Sequence, residues 1–273
     1  VPEKIEKILS LSPASTQILQ SMGYSDLIIG FDTYSEGYLL TPVENPVIFD
    51  MQAPDVEKIL ALSPDIIFIP GISLVDGLNP YSPLIDAGIC VAVIPSAESL
   101  EQIKADINFI AECMGAPQKA AVIVDKMDAD IAAIKAIGDT IANKKTVMFE
   151  ISAMPYIYSF GSGTYLNEMI EIIGAENVFA AENSWIAVSE ESALAANPDV
   201  ILTSVNYIDD PVNEILSRPG WEAVTAVNTK SVYKFQSDQT DIPNQFVIES
   251  LYEMAKFVYP QEYEKIEYTE VIS

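Results

Sequence analysis

Two eleven-residue segments of this chain match one another at a distance of 134 positions, and this internal repeat constrains the fold more than any other feature. Glu57-Lys-Ile-Leu-Ala-Leu-Ser-Pro-Asp-Ile-Ile67 aligns with Glu191-Ser-Ala-Leu-Ala-Ala-Asn-Pro-Asp-Val-Ile201, and six of the eleven positions are identical. Each copy reads as a helix stopped at Pro-Asp, because proline cannot continue it, followed by a short apolar strand. A second echo pairs Met22-Gly23 with Ile173-Gly174, each between a helix and a strand. The pattern predicts two halves of similar topology.

The rest of the chain agrees. Short apolar strands are expected at residues 7–11, 27–31, 65–70 and 90–95, and helices at 13–22, 56–62 and 83–87. Ser12-Pro13 supplies a helix cap followed by proline at the first helical position. Such alternation predicts an α/β fold with parallel sheets covered on both faces. Residues 117–143 break the rhythm: only Gly138 interrupts them after Pro117, and apolar residues recur from Val122 to Ile137. They read as one long connecting helix of roughly 40 Å at about 1.5 Å per residue. A second strand–helix series opens at Lys145. The expected organisation is an N-terminal lobe at 1–116, a connector at 117–143 and a C-terminal lobe at 144–273. A single helical connector would permit only small closure of one lobe on the other.

Composition excludes several functions. Forty acidic against 14 basic residues give a formal charge of −26 spread along the chain, which argues against binding nucleic acid. There is no histidine, so Ser-His-Asp and Cys-His nucleophile systems are impossible, as are most zinc and manganese sites. Cys90 and Cys113 lie in apolar surroundings and are read as buried free thiols rather than a disulfide or metal ligands. No run of about 18 apolar residues spans a membrane. The chain starts at Val1, which fits removal of an export signal and equally a trimmed cytosolic protein.

Carried outward, the repeat pairs Met51 with Trp185 and Asp76 with Asp210. Ligands of open α/β sheets bind outside the carboxyl ends of the strands, so large apolar residues at matching loop positions suggest two walls of one cleft. Trp185 could equally be an ordinary core residue, and Met51 a gap filler. Asp76 and Asp210 are either solvated carboxylates or paired docking points for basic groups of a partner. In Gly161-Ser-Gly-Thr-Tyr165, capping by Ser or Thr explains the sequence better than anion binding does. Tyrosines at 34, 38, 156, 158 and 165 are read as packing or as stacking surface for a planar ligand. Arg218, the single arginine, is expected in a surface turn before Pro219-Gly220.

These pieces together resemble the periplasmic binding proteins for siderophores, haem and vitamin B12. The resemblance runs through Ile8-Leu-Ser-Leu-Ser-Pro-Ala-Ser-Thr-Gln-Ile18, residues 51–70, Gly163-Thr-Tyr-Leu-Asn-Glu168, Gly174-Ala-Glu-Asn-Val178, Pro219-Gly-Trp-Glu-Ala-Val224 and Val232-Tyr233. It implies the class III fold of two Rossmann-like lobes joined by one long helix. It also implies a monomeric receptor without cofactor or metal of its own, outside the cytoplasm or lipid-anchored, which delivers a metal chelate to an ABC permease and ATPase complex. Set against the vitamin B12 receptors of that family, Tyr34, Met51 and Trp185 fall at ligand-contacting positions, with Met51 where those receptors have tryptophan. Ser237 and Gln239 fall where they have another cleft aromatic. The implied ligand-contacting set is Tyr34, Met51, Gln52, Tyr165, Trp185, Ser237 and Gln239. The implied docking residues are Asp76 and Asp210, with Glu214 as a substitute for the latter.

Charge narrows the ligand. Multiply anionic catecholate chelates are usually held by several arginines, which this chain lacks. A neutral or cationic chelate, a corrinoid or a ferric hydroxamate, suits a −26 protein. Haem held by Tyr or Met stays open, as does a chelate sensor without transport. An enzyme on a related two-lobed fold would need Cys or His ligands, and this chain offers two isolated cysteines and no histidine.

Overall fold

The computed structural model describes residues 1–74, 79–235 and 240–269. The N-terminal lobe holds a five-stranded sheet in the order β3-β2-β1-β4-β5, every pair parallel. Its strands are β1 (Ile8–Ser10), β2 (Ile28–Asp32), β3 (Val47–Phe49), β4 (Ile66–Pro70) and β5 (Cys90–Ile94). The crossover helices are α1 (Pro13–Ser21), α2 (Val56–Leu62) and α3 (Ser82–Asp86), followed by α4 (Leu100–Cys113). In β4, Ile66 and Phe68 face one apolar cluster while Ile67 and Ile69 face another. Both sides of the sheet are therefore covered, which is why its strands read as unbroken apolar runs.

Helix α5 (Pro117–Gly138) connects the lobes. It stops five residues short of the expected end, for a steric reason. A Cβ on Gly138 would lie 2.1 Å from the carbonyl oxygen of Ile172, so the helix terminus docks backbone to backbone on the second lobe. Its 22 residues make a rod of about 33 Å.

The second lobe repeats the plan with β6 (Thr146–Glu150), β8 (Glu176–Asn177), β10 (Val200–Thr203) and β11 (Val232–Lys234), ordered β11-β10-β6-β8 and all parallel. An element without a counterpart among the described residues of the first lobe is added: β7 (Ile157–Phe160) and β9 (Trp185–Val188) form an antiparallel ribbon. Helices α6 (Tyr165–Ile172), α7 (Glu190–Ala196), α8 (Pro211–Leu216) and α9 (Thr225–Asn228) complete the lobe, and α10 (Val247–Val258) returns towards the first.

The repeat is structural. Helices α2 and α7 both end on a left-handed residue, Ser63 (φ 51°) and Asn197 (φ 42°), before Pro-Asp. Asp65 then accepts from the backbone N–H groups of Glu6 and Lys7 at 2.7 and 2.9 Å, beside β1. Asp199 accepts from the N–H and hydroxyl of Thr146 at 2.8 and 2.9 Å, at the start of β6. Each clasp fixes the entry of the strand on which its lobe is built. The second echo is a shared helix stop. Gly23 (φ 78°) and Gly174 (φ 83°) take the left-handed turn after α1 and α6, and Tyr24 and Ala175 then donate back to Leu19 and Ile170 in the same pattern.

Asp65→Ala and Asp199→Ala should each lower stability by about 1–2 kcal/mol. The double variant should lose the sum, because the clasps belong to different sheets. Urea denaturation measures this, and additivity failing by more than about 0.5 kcal/mol would contradict independent clasps.

Candidate functional site

The carboxyl ends of the first lobe's strands converge on one cavity. Ser12, Pro13 and Ser15 follow β1, Met51 follows β3, Gly71 and Ile72 follow β4, and Pro95 and Ser96 follow β5. The second lobe contributes Tyr165 from the start of α6, Trp185 from the start of β9, and Asp241, Ile242 and Pro243 beyond β11. The volume is about 370 Å³, within the range of small-molecule sites. Its walls are mainly apolar, and neither Lys nor Arg lines it among the described residues.

Met51 and Trp185, paired through the repeat, line this same cavity. Trp185 is held edge-on against Phe160, with ring centroids 6.0 Å apart and planes at 82°, and stays 38% exposed. The added ribbon explains its presentation: Trp185 pairs across β7 with Phe160, whose ring is buried and anchors it. Met51 is fixed through its backbone, where its carbonyl accepts from the Tyr81 hydroxyl at 2.7 Å.

Tyr165 lines the cavity but is buried, and its hydroxyl donates to the Thr240 carbonyl at 3.1 Å, leaving the ring as its contribution. Tyr34 is exposed after β2, outside the cavity wall, with its N–H donating to the Asp32 carboxylate. Gln52 is exposed and also outside the wall, its N–H donating to Asp50. Ser237, Gln239 and Asp76 lie outside the described residues. Thr164 caps α6 by accepting from the N–H of Asn167, so the Gly161–Tyr165 turn is a helix start. Both cysteines are free thiols; Cys113 is buried and Cys90 half-buried.

Arg218 is not in a surface turn. It is buried, and its guanidinium donates to both oxygens of Glu150 at 2.7 and 2.8 Å, to Glu214 from the other side, and lies over the Trp221 ring. The long stem folds back from the Pro219-Gly220 turn because the buried Glu150 carboxylate, at the end of β6, needs a countercharge. Burial pushes the Glu150 carboxyl up while Arg218 holds it back. Glu214, half-buried, is thereby committed to an ion pair within the protein. Asp210 is exposed and caps α8, accepting from Asn213 N–H at 2.9 Å.

Two acidic residues of the cavity wall were not anticipated. Asp106, on α4, is 7% exposed and lines the cavity, and burial pushes its carboxyl up to about 6. A readable signal existed: Asp106 lies on the helical stripe of Ile103, Ile107 and Ile110, all buried. Asp241 is exposed in the cleft wall, and desolvation raises its carboxyl although the Ser204 hydroxyl donates to it at 2.8 Å.

With this geometry in hand, comparison with known proteins places the chain. The family model described as "Periplasmic binding protein" matches residues 8–239. The chain belongs to the periplasmic binding protein family. An uncharacterised ABC transporter substrate-binding lipoprotein of Bacillus subtilis is 30% identical over 97% of this chain and 83% of its own length. A vitamin B12-binding protein of Yersinia pestis is 27% identical over 73% of this chain and 69% of its own. The crystal structure of a possible iron-binding periplasmic solute-binding protein from Staphylococcus epidermidis superposes with a TM-score of 0.81 at 24% identity, covering 94% of this chain and all of that one. Among the described residues no helix is long and apolar enough to cross a membrane, and no group of three or more His, Cys, Asp or Glu could hold a metal ion.

The raised Asp106 carboxyl sets a pH dependence. The native state binds this proton more tightly than the unfolded chain does, so its contribution is full below about pH 4 and declines until about pH 6. Asp106→Asn cannot ionise and removes that decline. The stability difference between wild type and variant should grow by about 1–3 kcal/mol between roughly pH 4 and 6.5, read from denaturation midpoints across that range.

Proposed function

We propose that this chain is the extracytoplasmic receptor of an ABC importer, with lobes at 1–116 and 144–273 that hold a metal chelate in the cavity between them. The observation that carries this reading is the cavity itself. It lies at the strand carboxyl ends, is walled by Met51 and Trp185 from positions the internal repeat makes equivalent, and has no cationic lining residue among those described. The vitamin B12-binding and iron-binding relatives support a chelate as the class of ligand. The absence of an arginine clamp disfavours multiply anionic catecholates, because the single Arg218 is consumed by Glu150 and Glu214. A corrinoid or a ferric hydroxamate fits best. Met51, Tyr165 and Trp185 form the apolar contact surface, with Tyr34 and Gln52 as outlying contacts and Ser237 and Gln239 as further ones, and the receptor acts as a monomer.

Tryptophan emission tests this directly, because the two tryptophans differ: Trp221 is fully buried and donates to Glu190 at 3.0 Å, while Trp185 stands in the cleft. Titration with cobinamide, cobalamin, a ferric hydroxamate and haem, corrected for inner-filter absorbance, should give saturable quenching by a corrinoid or the hydroxamate. Trp185→Phe should abolish the quenching, leave Trp221 emission, and weaken binding about tenfold or more, in line with an aromatic anchor worth about 2 kcal/mol. Quenching by haem alone would move the ligand to the haem class, and no response to any of the four would overturn the reading.

Delivery would use Asp76 and Asp210 against basic groups of the permease; Glu214, tied to Arg218, is the poorer candidate. The combination Asp76→Lys with Asp210→Asn keeps the helix cap, reverses the first charge and removes the second. It should leave chelate affinity unchanged and cut uptake by about tenfold or more in a reconstituted transporter, a loss of about 1.4 kcal/mol of docking. Unchanged uptake would favour a sensor.

A further inference from the structure

The described residues include four acidic residues that are nine-tenths or more buried as whole residues: Asp32, Asp106, Asp130 and Glu150. Three have partners. Asp32 accepts from the Ser35 hydroxyl and the Tyr34 N–H, Asp130 is paired with Lys126 and accepts from the Tyr252 hydroxyl, and Glu150 is held by Arg218. Asp106 has no hydrogen-bond or ion-pair partner among the described residues, although it sits on the buried stripe of α4 with its side chain in the cavity wall.

A buried carboxylate without a partner is costly, and a helix face is easily supplied with a neutral residue instead. The cost is met when something that enters the cavity supplies the partner. Among the described residues no side chain of the lining supplies a countercharge, since neither Lys nor Arg is there, and the other acid, Asp241, adds negative charge. Two serines of the same wall are engaged with each other: Ser12 and Ser15 hydroxyls lie 2.7 Å apart, and Ser15 reaches Ser10 at 3.1 Å. What the cavity lacks is a cation. An ammonium or other positively charged group at the buried end of a ligand would meet Asp106 in apolar surroundings, where a charge-assisted hydrogen bond is strongest.

We propose that Asp106 is the specificity-determining residue of this site, anchoring a positively charged group on the bound chelate. The inference rests on the receptor reading above and deepens it by selecting cationic over neutral and anionic chelates. Asp241, already accepting from Ser204, reinforces the field without being the anchor.

The test uses matched pairs differing in charge at nearly constant shape. One is a linear ferric trihydroxamate with a free terminal ammonium against its N-acetyl derivative; the other is cobinamide as the aquo-cyano cation against the neutral dicyano form. Affinities come from Trp185 quenching or calorimetry on the whole protein. The cationic member of a pair should bind about tenfold or more tightly than its neutral partner, and Asp106→Asn should erase that preference while melting at a higher temperature than wild type at neutral pH. Equal affinity for both members, or a preference that survives Asp106→Asn, overturns the inference and leaves the receptor reading standing. A lower melting temperature for Asp106→Asn, with the preference intact, assigns Asp106 a structural role and overturns it as well. No saturable binding by either pair overturns the corrinoid-or-hydroxamate assignment and this inference with it, and is distinguishable because no signal saturates at all.

Discussion

One continuous apolar core joins both lobes, and the geometry of the cleft depends on it. The same cluster contains Ile8, Phe31 and Phe68 of the first sheet, Ile123, Met127 and Ile134 of α5, Phe149 and Leu202 of the second sheet, and Leu251 and Tyr263 near the end of the chain. Helix α5 is thus no free tether. Polar contacts pin the seam at several places. Asn244 donates to Gln17 and Gln245 to Ser21 across from the second lobe to α1; Tyr263 donates to carbonyls of both α5 and α6; Glu168 accepts from the first N–H of α4 at 2.7 Å. Opening the lobes about α5 would strip apolar area at a cost near 25 cal/mol per Å² and unpair these groups as well. The cavity is consequently a preformed shape, and selectivity has to come from what lines it.

The two lobes use their common plan differently. In both, a Pro-Asp clasp fixes the central strand and a left-handed glycine stops the first helix. The divergence is at the cleft. The first lobe offers Met51 from a loop whose carbonyl is held by Tyr81, whereas the second inserts an antiparallel ribbon that stands Trp185 against Phe160. An aromatic carried on a paired strand is more rigid than one on a loop, so the second lobe supplies the firm wall and the first the adaptable one.

Much of this was legible in the sequence, for identifiable reasons. The repeat, the parallel sheets and the connector follow from local stop signals and from strands apolar on both faces, which need no knowledge of partners. The pairing of Met51 with Trp185 followed from the same register. What escaped depended on distant partners. β3 is three residues long at a sheet edge, too short to show a period. The β7–β9 ribbon joins segments about 28 residues apart with α6 and β8 between them, so no hairpin signal marks the pairing. Arg218 looked like surface because it precedes Pro-Gly, yet its partner Glu150 lies 68 positions away. Tyr34 and Gln52 share the correct end of the sheet with the cavity but not its wall, since position after a strand fixes the end and leaves the direction of the side chain open. Asp106 was within reach: a charge on an otherwise apolar stripe is an inconsistency that sequence alone displays, and such inconsistencies gather at functional sites.

The charge of the whole protein and the charge of the site act on different steps. A net −26 spread over the surface raises the local concentration of cations, but at physiological ionic strength its reach is about 8 Å, so it governs encounter more than retention. Asp106 faces an apolar space where salt does not screen it, so its interaction persists once the chelate is seated. A chelate attracted by the surface yet lacking a group for Asp106 would leave that carboxylate both dehydrated and unpaired, which is worse than leaving the cavity to water. Discrimination then arises from the penalty imposed on the wrong ligand as much as from affinity for the right one. That arrangement also accounts for why a cavity so largely apolar retains an ionisable group at all.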